Sequence, residues 1–283
     1  MDSAQSRSFS IEFFPPRTEA GEAKLDIAHK RLAKLNPDFF SVTYGAGGST
    51  RDGTRNLVIK YTGAGSCVAP HLSFGGASDK EIHQLLETYQ DNGVNRLVAL
   101  RGDIPSGGGS SVHYRYASEL VEYVKQHFGD QFHIEVACYP EIHPDSDSYG
   151  SDVAHFKNKV ALGADSAITQ YFYNTDAYFR YLDYCQRQGI DIPIVPGVMP
   201  ITNYAKLARF SSKCGAEIPQ WLRRRLETFE DDSESMRSFG IDVVSALCER
   251  LLDGGAPGIH FYSMNLSKNV IEIWNNLSLS DRS

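Results

Sequence analysis

Glu12 is a carboxyl in an unusual place. It lies in SFSIEFFPP, between Ile11 and Phe13, inside an otherwise apolar run that reads as a strand. Period-two alternation puts Ser10, Glu12 and Phe14 on one face and Phe9, Ile11 and Phe13 on the other. Burial among aromatic rings disfavours the charged form. The expectation is therefore a raised pKa and a carboxyl able to act as a general acid near neutral pH. The competing reading is a glutamate paired with a buried Arg or Lys.

Polar residues recur where other apolar runs end. They are Thr43-Tyr44-Gly45, Pro70-His71, Arg101-Gly102-Asp103, Tyr139-Pro140-Glu141, Thr169-Gln170 and Tyr262-Ser263-Met264-Asn265. Arg101 and Asp103 read either as an ion pair at a strand end or as charges beside a ligand. His71 taken alone reads as a core histidine, with donor and ligand roles as the alternatives. Lys157 and Lys159 precede the small-residue stretch Ala161–Ala164, where a lysine could neutralise a phosphate or simply line a solvated helix face. His143 and His155 make no recognised metal pair with a carboxylate, so no metal is expected. Gly45–Gly48 and Gly107–Gly109 complete neither G-x-G-x-x-G nor a Walker A loop, and no G-x-S-x-G elbow occurs.

The elements that must position these residues alternate along the chain. Strands are expected at Phe9–Phe13, Phe39–Thr43, Cys67–Leu72, Arg96–Leu100, His133–Cys138, Ser166–Gln170, Ile192–Val198 and Gly258–Tyr262, each short and rich in β-branched or aromatic residues. Helical patterns fall at Glu19–Leu35, Ser78–Asn92, Ser118–Phe128, Asp152–Leu162, Asp176–Gln188, Tyr204–Cys214, Pro219–Phe229 and Asp232–Leu252, with a last helix from about Ser267. Ser78 and Glu81 form a capping-box pattern. Eight strand–helix units in 283 residues predict an α/β fold, a (β/α)8 barrel, as one domain over 1–283. A doubly wound open sheet is the structural alternative. In a barrel, chemistry sits where strands end, and that is where the polar residues cluster. Ser106–Ser111 (SGGGSS) reads as a flexible loop after the fourth strand.

Composition narrows the class. Hydrophobic residues make up 41% and charged residues 22%, ordinary for a globular protein with a sizeable core. A formal net charge of -7 argues against nucleic-acid or anionic-membrane partners, and an anionic ligand would need a local cationic pocket. The five cysteines, Cys67, Cys138, Cys185, Cys214 and Cys248, are widely spaced and suit reduced thiols in a cytoplasmic protein. The start MDSAQSRSFS has no apolar h-region, and no run approaches a membrane span.

Taken together, these segments resemble methylenetetrahydrofolate reductase, a flavoprotein family of one-carbon metabolism. The resemblance rests on FSIEFFPPR (9–17), SVTYGAGGSTRD (41–52), APHLS (69–73), VALRGD (98–103), YAS (116–118), ACYPEIHP (137–144), ITQYFY (168–173), PIVPGVMPITN (193–203) and HFYSMN (260–265), in that order. It implies a (β/α)8 barrel binding FAD noncovalently. It implies ping-pong reduction of 5,10-methylenetetrahydrofolate to 5-methyltetrahydrofolate by NADH or NADPH, and no C-terminal regulatory domain. Glu12 then matches the acid that protonates N10, and Asp103 the aspartate between flavin and folate. Thr43, Tyr44, Ala46, His71, Arg101, Gly102, Asp103, Tyr116, Ala117, Tyr139, His143, Asp152 and Lys159 match flavin-site positions. Gln170 matches a pterin and nicotinamide contact, and Phe210 an aromatic that stacks on either ligand. The sequence departs from the family at Leu266, where members often carry Arg or Lys. Lys268 is then expected to meet the folate glutamate tail. His155, Asn158 and Lys206 also differ from common residues. The implied partners are small molecules, folate and nicotinamide, with a homo-oligomer expected. Two alternatives remain: another barrel flavin oxidoreductase, or a folate- or flavin-binding relative without turnover that acts with a partner.

Overall fold

The structure, a computed structural model, describes residues 7–44, 51–75, 77–102 and 116–279. Strands β1 (Ser8–Phe13), β2 (Phe39–Val42), β3 (Val68–Leu72), β4 (Arg96–Ala99), β5 (His133–Cys138), β6 (Ser166–Thr169), β7 (Ile194–Val195), β8 (Gly197–Val198) and β9 (Gly258–Tyr262) form one parallel sheet. Its order is β7-β6-β5-β4-β3-β2-β1-β9-β8. The expected strand at Ile192–Val198 appears as β7 and β8, separated by Pro196. Pro196 has no N–H for the ladder. Its carbonyl still accepts from His260 N at 2.9 Å, while β7 pairs with β6 and β8 with β9. The two halves are one broken strand that closes the sheet into a (β/α)8 barrel.

Helices lie outside: α1 (Glu19–Leu32), α2 (Arg51–Gly63), α3 (Asp79–Asp91), α4 (Ala117–Phe128), α5 (Tyr149–Ala161), α6 (Thr175–Arg187), α7 (Tyr204–Cys214), α8 (Gln220–Glu227), α9 (Ser233–Asp253) and α10 (Ser267–Asn276). The Ser78–Glu81 box forms as expected, with Ser78 N donating to Glu81 Oε2 at 2.8 Å. Helix α2 has no counterpart in the sequence reading. It carries Gly53, Thr54, Thr62 and Gly63, poor helix formers that mask its buried stripe of Leu57, Val58 and Tyr61. Among the described residues, no helix is long and apolar enough to cross a membrane.

Alternation along the strands gives the sheet two faces. Phe9, Ile11, Phe13, Phe40 and Val42 pack into the large core under the helices. Phe39, Ala69, Val98 and Ile168 form a separate small cluster on the inward face. That interior also holds charge. Glu135, 2% exposed, pairs with Arg96, accepts from Ser166 Oγ at 2.5 Å and lies 3.4 Å from His133 Nε2. Arg96 also stacks on Phe39, 4.4 Å from the ring centroid.

These partners hold the Glu135 carboxyl below its ordinary pKa against the opposing effect of burial. A depressed carboxyl stabilises the fold above its unfolded pKa, and this contribution disappears as pH falls through the folded value. Glu135→Ala should leave Arg96 unpaired in the interior and cost about 3 kcal/mol or more in urea unfolding at pH 7. A loss below about 0.5 kcal/mol, the range of an ordinary surface change, would show that the pair is not structural.

Candidate functional site

The strand ends deliver the expected residues to one rim. Beyond β2 to β5 opens a cleft of about 360 Å3, lined by Tyr44, Arg101, Gly102, Tyr116, Ala117, Tyr139, His143, Asp152 and Lys159 among others. All nine are expected site residues. Ala46 and Asp103 lie outside the described residues, as does the Ser106–Ser111 stretch. Thr43 is not a lining residue: its backbone N donates to Phe13 O at 2.9 Å and its carbonyl accepts from Thr54 Oγ1 at 2.8 Å. It anchors the loop that carries Tyr44.

Two cations serve the cleft. Lys159, in the last turn of α5, donates from Nζ to Ala137 O at 2.5 Å, and burial lowers its pKa. Arg101 reaches Asp145 Oδ2 at 2.6 Å, so its partner among the described residues is Asp145. Both side chains are well exposed, and such a pair is weak enough to be exchanged for a ligand anion. Gly102 has φ +80°, and a Cβ there would stand 2.6 Å from Ser73 Oγ. Only glycine lets the backbone approach the cleft wall this closely. Asp152 accepts from His143 N at 3.0 Å, which fixes the loop after β5. At the outer end, the Tyr116 and His155 rings lie nearly parallel, with centroids 6.4 Å apart.

Glu12 sits on β1 beside this cleft, its side chain 17% exposed. His71 Nε2 is 3.3 Å and His260 Nε2 3.7 Å from Glu12 Oε2. The expected raised pKa is overturned. Burial does raise it, but the two imidazoles outweigh burial and hold the carboxyl down at about 2. The Arg or Lys partner of the competing reading is also absent among the described residues: histidines fill that role. His71, expected in the cofactor site, is 8% exposed and stands against Glu12, two residues before the cleft-lining Ser73. Ser263 Oγ donates to Glu12 O at 2.5 Å. Asn265 clasps the Phe14 backbone from both sides, at 3.0 and 2.9 Å. This clasp pins the chain just beyond Glu12.

Gln170 lies in a second, smaller recess with Glu141, Tyr171 and Cys214, and Tyr139 borders both spaces. Phe210 is 46% exposed and stacks on Tyr171 with centroids 6.0 Å apart. Lys268 is exposed in the first turn of α10, next to the half-exposed Leu266. Among the described residues, no group of three or more His, Cys, Asp or Glu side chains could hold a metal.

Sequence reasoning gave no role to His260, Asp145 or Glu141. His260 sits in the quoted HFYSMN, but its partner Ser10 is 250 residues away, so no local spacing reveals the pair. Glu141 accepts from Glu217 N at 2.8 Å through Oε2, while its buried Oε1 has no partner. Burial, helped by the Glu217 charge, pushes its carboxyl up to about 7. A raised carboxyl means that the fold binds a proton the unfolded chain has lost. Stability therefore falls as pH rises from the ordinary value, about 4.5, towards 7. Glu141→Gln should flatten thermal stability across that window and raise it at pH 8. An unchanged pH profile would contradict the assignment.

A family model described as methylenetetrahydrofolate reductase matches residues 1–278. Methylenetetrahydrofolate reductase (NADH) 1 of Arabidopsis thaliana is 38% identical over 291 residues, covering 98% of this chain and 49% of that protein. The 5,10-methylenetetrahydrofolate reductase of Escherichia coli (strain K12) is 37% identical over 272 residues, covering 95% of this chain and 90% of that protein. The chain thus spans about half the length of the plant relatives and most of the bacterial ones. A Clostridium thermocellum protein, described as binding two copies of 5-methyl-5,6,7,8-tetrahydrofolic acid, superposes with TM-score 0.65 at 20% identity over 98% of this chain and 94% of that one. A 2,3-dimethylmalate lyase superposes with TM-score 0.57 at 10% identity, over 100% of this chain and 85% of that one. At such identities the structural likenesses speak for the barrel alone.

Proposed function

The chain belongs to the methylenetetrahydrofolate reductase family, and from that premise we propose that it reduces 5,10-methylenetetrahydrofolate to 5-methyltetrahydrofolate at the strand C-terminal rim. FAD is the proposed cofactor, and NADH or NADPH the reductant. The NADH in the plant relatives' names makes NADH the first to test.

The cleft residues fit a flavin dinucleotide. Arg101 and Lys159 supply the positive charge that a pyrophosphate needs in an acidic protein. The bare Cα of Gly102 leaves room where a side chain would collide with Ser73. Tyr116 and His155 offer stacked rings to a base. Bound there, FAD would supply the hydride chemistry of a ping-pong reaction between nicotinamide and folate.

The protein's part is binding and proton chemistry. The methylene bridge of the folate is an aminal and a poor hydride acceptor. A proton on N10 opens it to an N5 iminium, which accepts hydride readily. Glu12 is the proposed donor, taking up its proton when bound folate shuts water from the carboxyl, since without folate the two imidazoles hold it ionised. Gln170 is the proposed partner of the pterin amide, and Phe210 the proposed cover of its ring. Lys268 takes the glutamate tail in place of Leu266, and Asp103 favours cationic folate intermediates. The observation that carries this reading is a mostly buried carboxyl at the rim beside a cleft with two cations.

The test is anaerobic turnover of the purified, flavin-loaded protein. NADH or NADPH oxidation should require methylenetetrahydrofolate and yield one 5-methyltetrahydrofolate per nicotinamide consumed. Nicotinamide oxidation without a methylated folate product would sink the assignment and favour another flavin oxidoreductase.

A further inference from the structure

The loop after β5 serves both ligand spaces. Its Tyr139 borders the large cleft and the smaller recess, and its His143 and Asp145 line the cleft. On the cleft side Asp152 holds this loop through His143 N. On the other side the hold is Glu141, whose Oε2 accepts from Glu217 N at 2.8 Å. Glu217 lies just beyond the C-terminal end of α7, so this bond joins the loop to that helix. Ile142, the next residue, has φ +72°, a left-handed backbone that a β-branched side chain disfavours. Such a conformation persists only where its surroundings fix it. The surroundings here are close. Gly215, with φ +76°, caps α7, and a Cβ there would stand 3.0 Å from Pro144 Cγ and 3.5 Å from Ile142 O.

The second oxygen of Glu141, Oε1, is buried without a hydrogen-bond partner. The recess that Glu141 lines measures about 10 Å3, room for one water at most. A neutral carboxyl tolerates such a place, whereas a carboxylate is left unsolvated there. The Glu217 N–H favours the ionised form, but burial outweighs it and pushes the group up to about 7. The other titratable groups of the recess are the Tyr139 and Tyr171 phenols and the Cys214 thiol, with the Glu217 carboxylate nearby. Burial pushes both phenols up, so they stay uncharged near neutral pH. Farther along the same elements, His143 faces the cleft and Lys213 is exposed. Among the described residues no cation lines the recess to offset an ionised Glu141.

The end of α7 matters because Phe210 sits one turn before it. Tyr171 stacks on Phe210, and its hydroxyl bonds Ser211 Oγ of the same helix at 2.8 Å. Cys214 Sγ donates to the Tyr171 oxygen at 3.4 Å. Gln170 Oε1 accepts from Tyr171 N at 3.0 Å. The ring and the amide proposed to meet the pterin thus belong to one packed unit, and Glu141 ties that unit to the loop of the flavin cleft.

We propose that neutral Glu141 is a positioning residue that sets Phe210 and Gln170 for the folate by tying α7 to the loop after β5, and that ionisation of Glu141 releases this tie. The inference rests on the reading of Gln170 and Phe210 as folate contacts. On release one proton passes from Glu141 to water, and the carboxylate follows it out of the recess, taking Oε2 from Glu217 N. Asp152 keeps its own hold on the loop, so the cleft side stays in place.

Two measurements on the flavin-loaded protein test this. The first follows flavin reoxidation by methylenetetrahydrofolate against folate concentration. With a carboxyl titrating near 7, about one molecule in eleven keeps it neutral at pH 8, so the half-saturating concentration in the wild type should rise by up to about tenfold from pH 6 to pH 8. Glu141→Gln keeps an acceptor for Glu217 N and cannot ionise, so its half-saturating concentration should stay flat. The limiting rates of the two proteins should follow one common pH profile, because Glu141 touches no reacting atom. A half-saturating concentration that rises equally in both proteins, or a difference confined to the limiting rate, overturns the proposal.

The second measurement needs no folate. Labelling of Cys214 by iodoacetamide, read by mass spectrometry of its peptide, reports opening of the recess. The ratio of the wild-type rate to the Glu141→Gln rate should be near one at pH 6 and rise several-fold by pH 8. The variant corrects for ionisation of the thiol itself. A ratio that stays at one overturns the proposal. If folate fails to reoxidise the wild type at all, the reductase reading has failed, and the labelling ratio still decides whether Glu141 is the tie.

Discussion

Glu12→Gln should still be reduced by NADH or NADPH but should lose folate-driven reoxidation by about 10^2- to 10^4-fold, the usual contribution of a positioned general acid. The two halves of the reaction separate because only one needs a proton on substrate nitrogen. Hydride arriving from a nicotinamide meets no such demand. The amide of Gln fills nearly the same volume, so the packing of Ser10, His71 and His260 around it should survive. Stopped-flow absorbance at the flavin band reads both halves on one preparation. An equal fall in both halves would mean that Glu12 holds the cofactor or the fold rather than the proton.

Lys159→Met should weaken FAD binding by about 10- to 100-fold, the range for losing a hydrogen bond to a charged group. It should do so without lowering the stability of the apoprotein. The reason lies in the environment of this ammonium. Among the described residues its hydrogen bond is to Ala137 O at 2.5 Å, and burial lowers its pKa. A base with a lowered pKa costs stability while it is charged, so a methionine of similar length removes a burden from the empty fold. Phe156, beneath the ammonium at 5.7 Å, remains to pack against it. Isothermal titration with FAD and thermal melts of the apoprotein check the two halves of this expectation. A lower melting temperature with unchanged FAD affinity would make Lys159 structural.

The order of strands was legible because parallel strands buried on both faces read as short apolar runs bounded by turns. The rim was legible because polar residues at those run ends have no other good reason to recur. Helix α2 escaped because two glycines and two threonines hide its buried stripe, which the barrel supplies with a partner. The break at Pro196 escaped because Ile194 and Val195 before it and Val198 after it make the stretch look like an uninterrupted run.

The site shows the same division between local and distant information. Nine expected residues do line one cleft. The state of Glu12 could not be read from its neighbours in sequence. Phe13 and Phe14 suggest desolvation and a raised pKa, yet the deciding groups are His71 and His260, 59 and 248 positions away by residue number. Likewise Arg101 finds Asp145, across the cleft on the loop after β5. Pattern tells where a charge sits; closure of the barrel decides what faces it.

The central claim is that this chain moves a hydride from bound flavin to a folate. Its most direct test mixes the photoreduced, flavin-loaded protein with methylenetetrahydrofolate in the absence of oxygen and nicotinamide. The account predicts recovery of the oxidised flavin absorbance, with one 5-methyltetrahydrofolate formed per flavin. A flavin that stays reduced in the presence of the folate would contradict it.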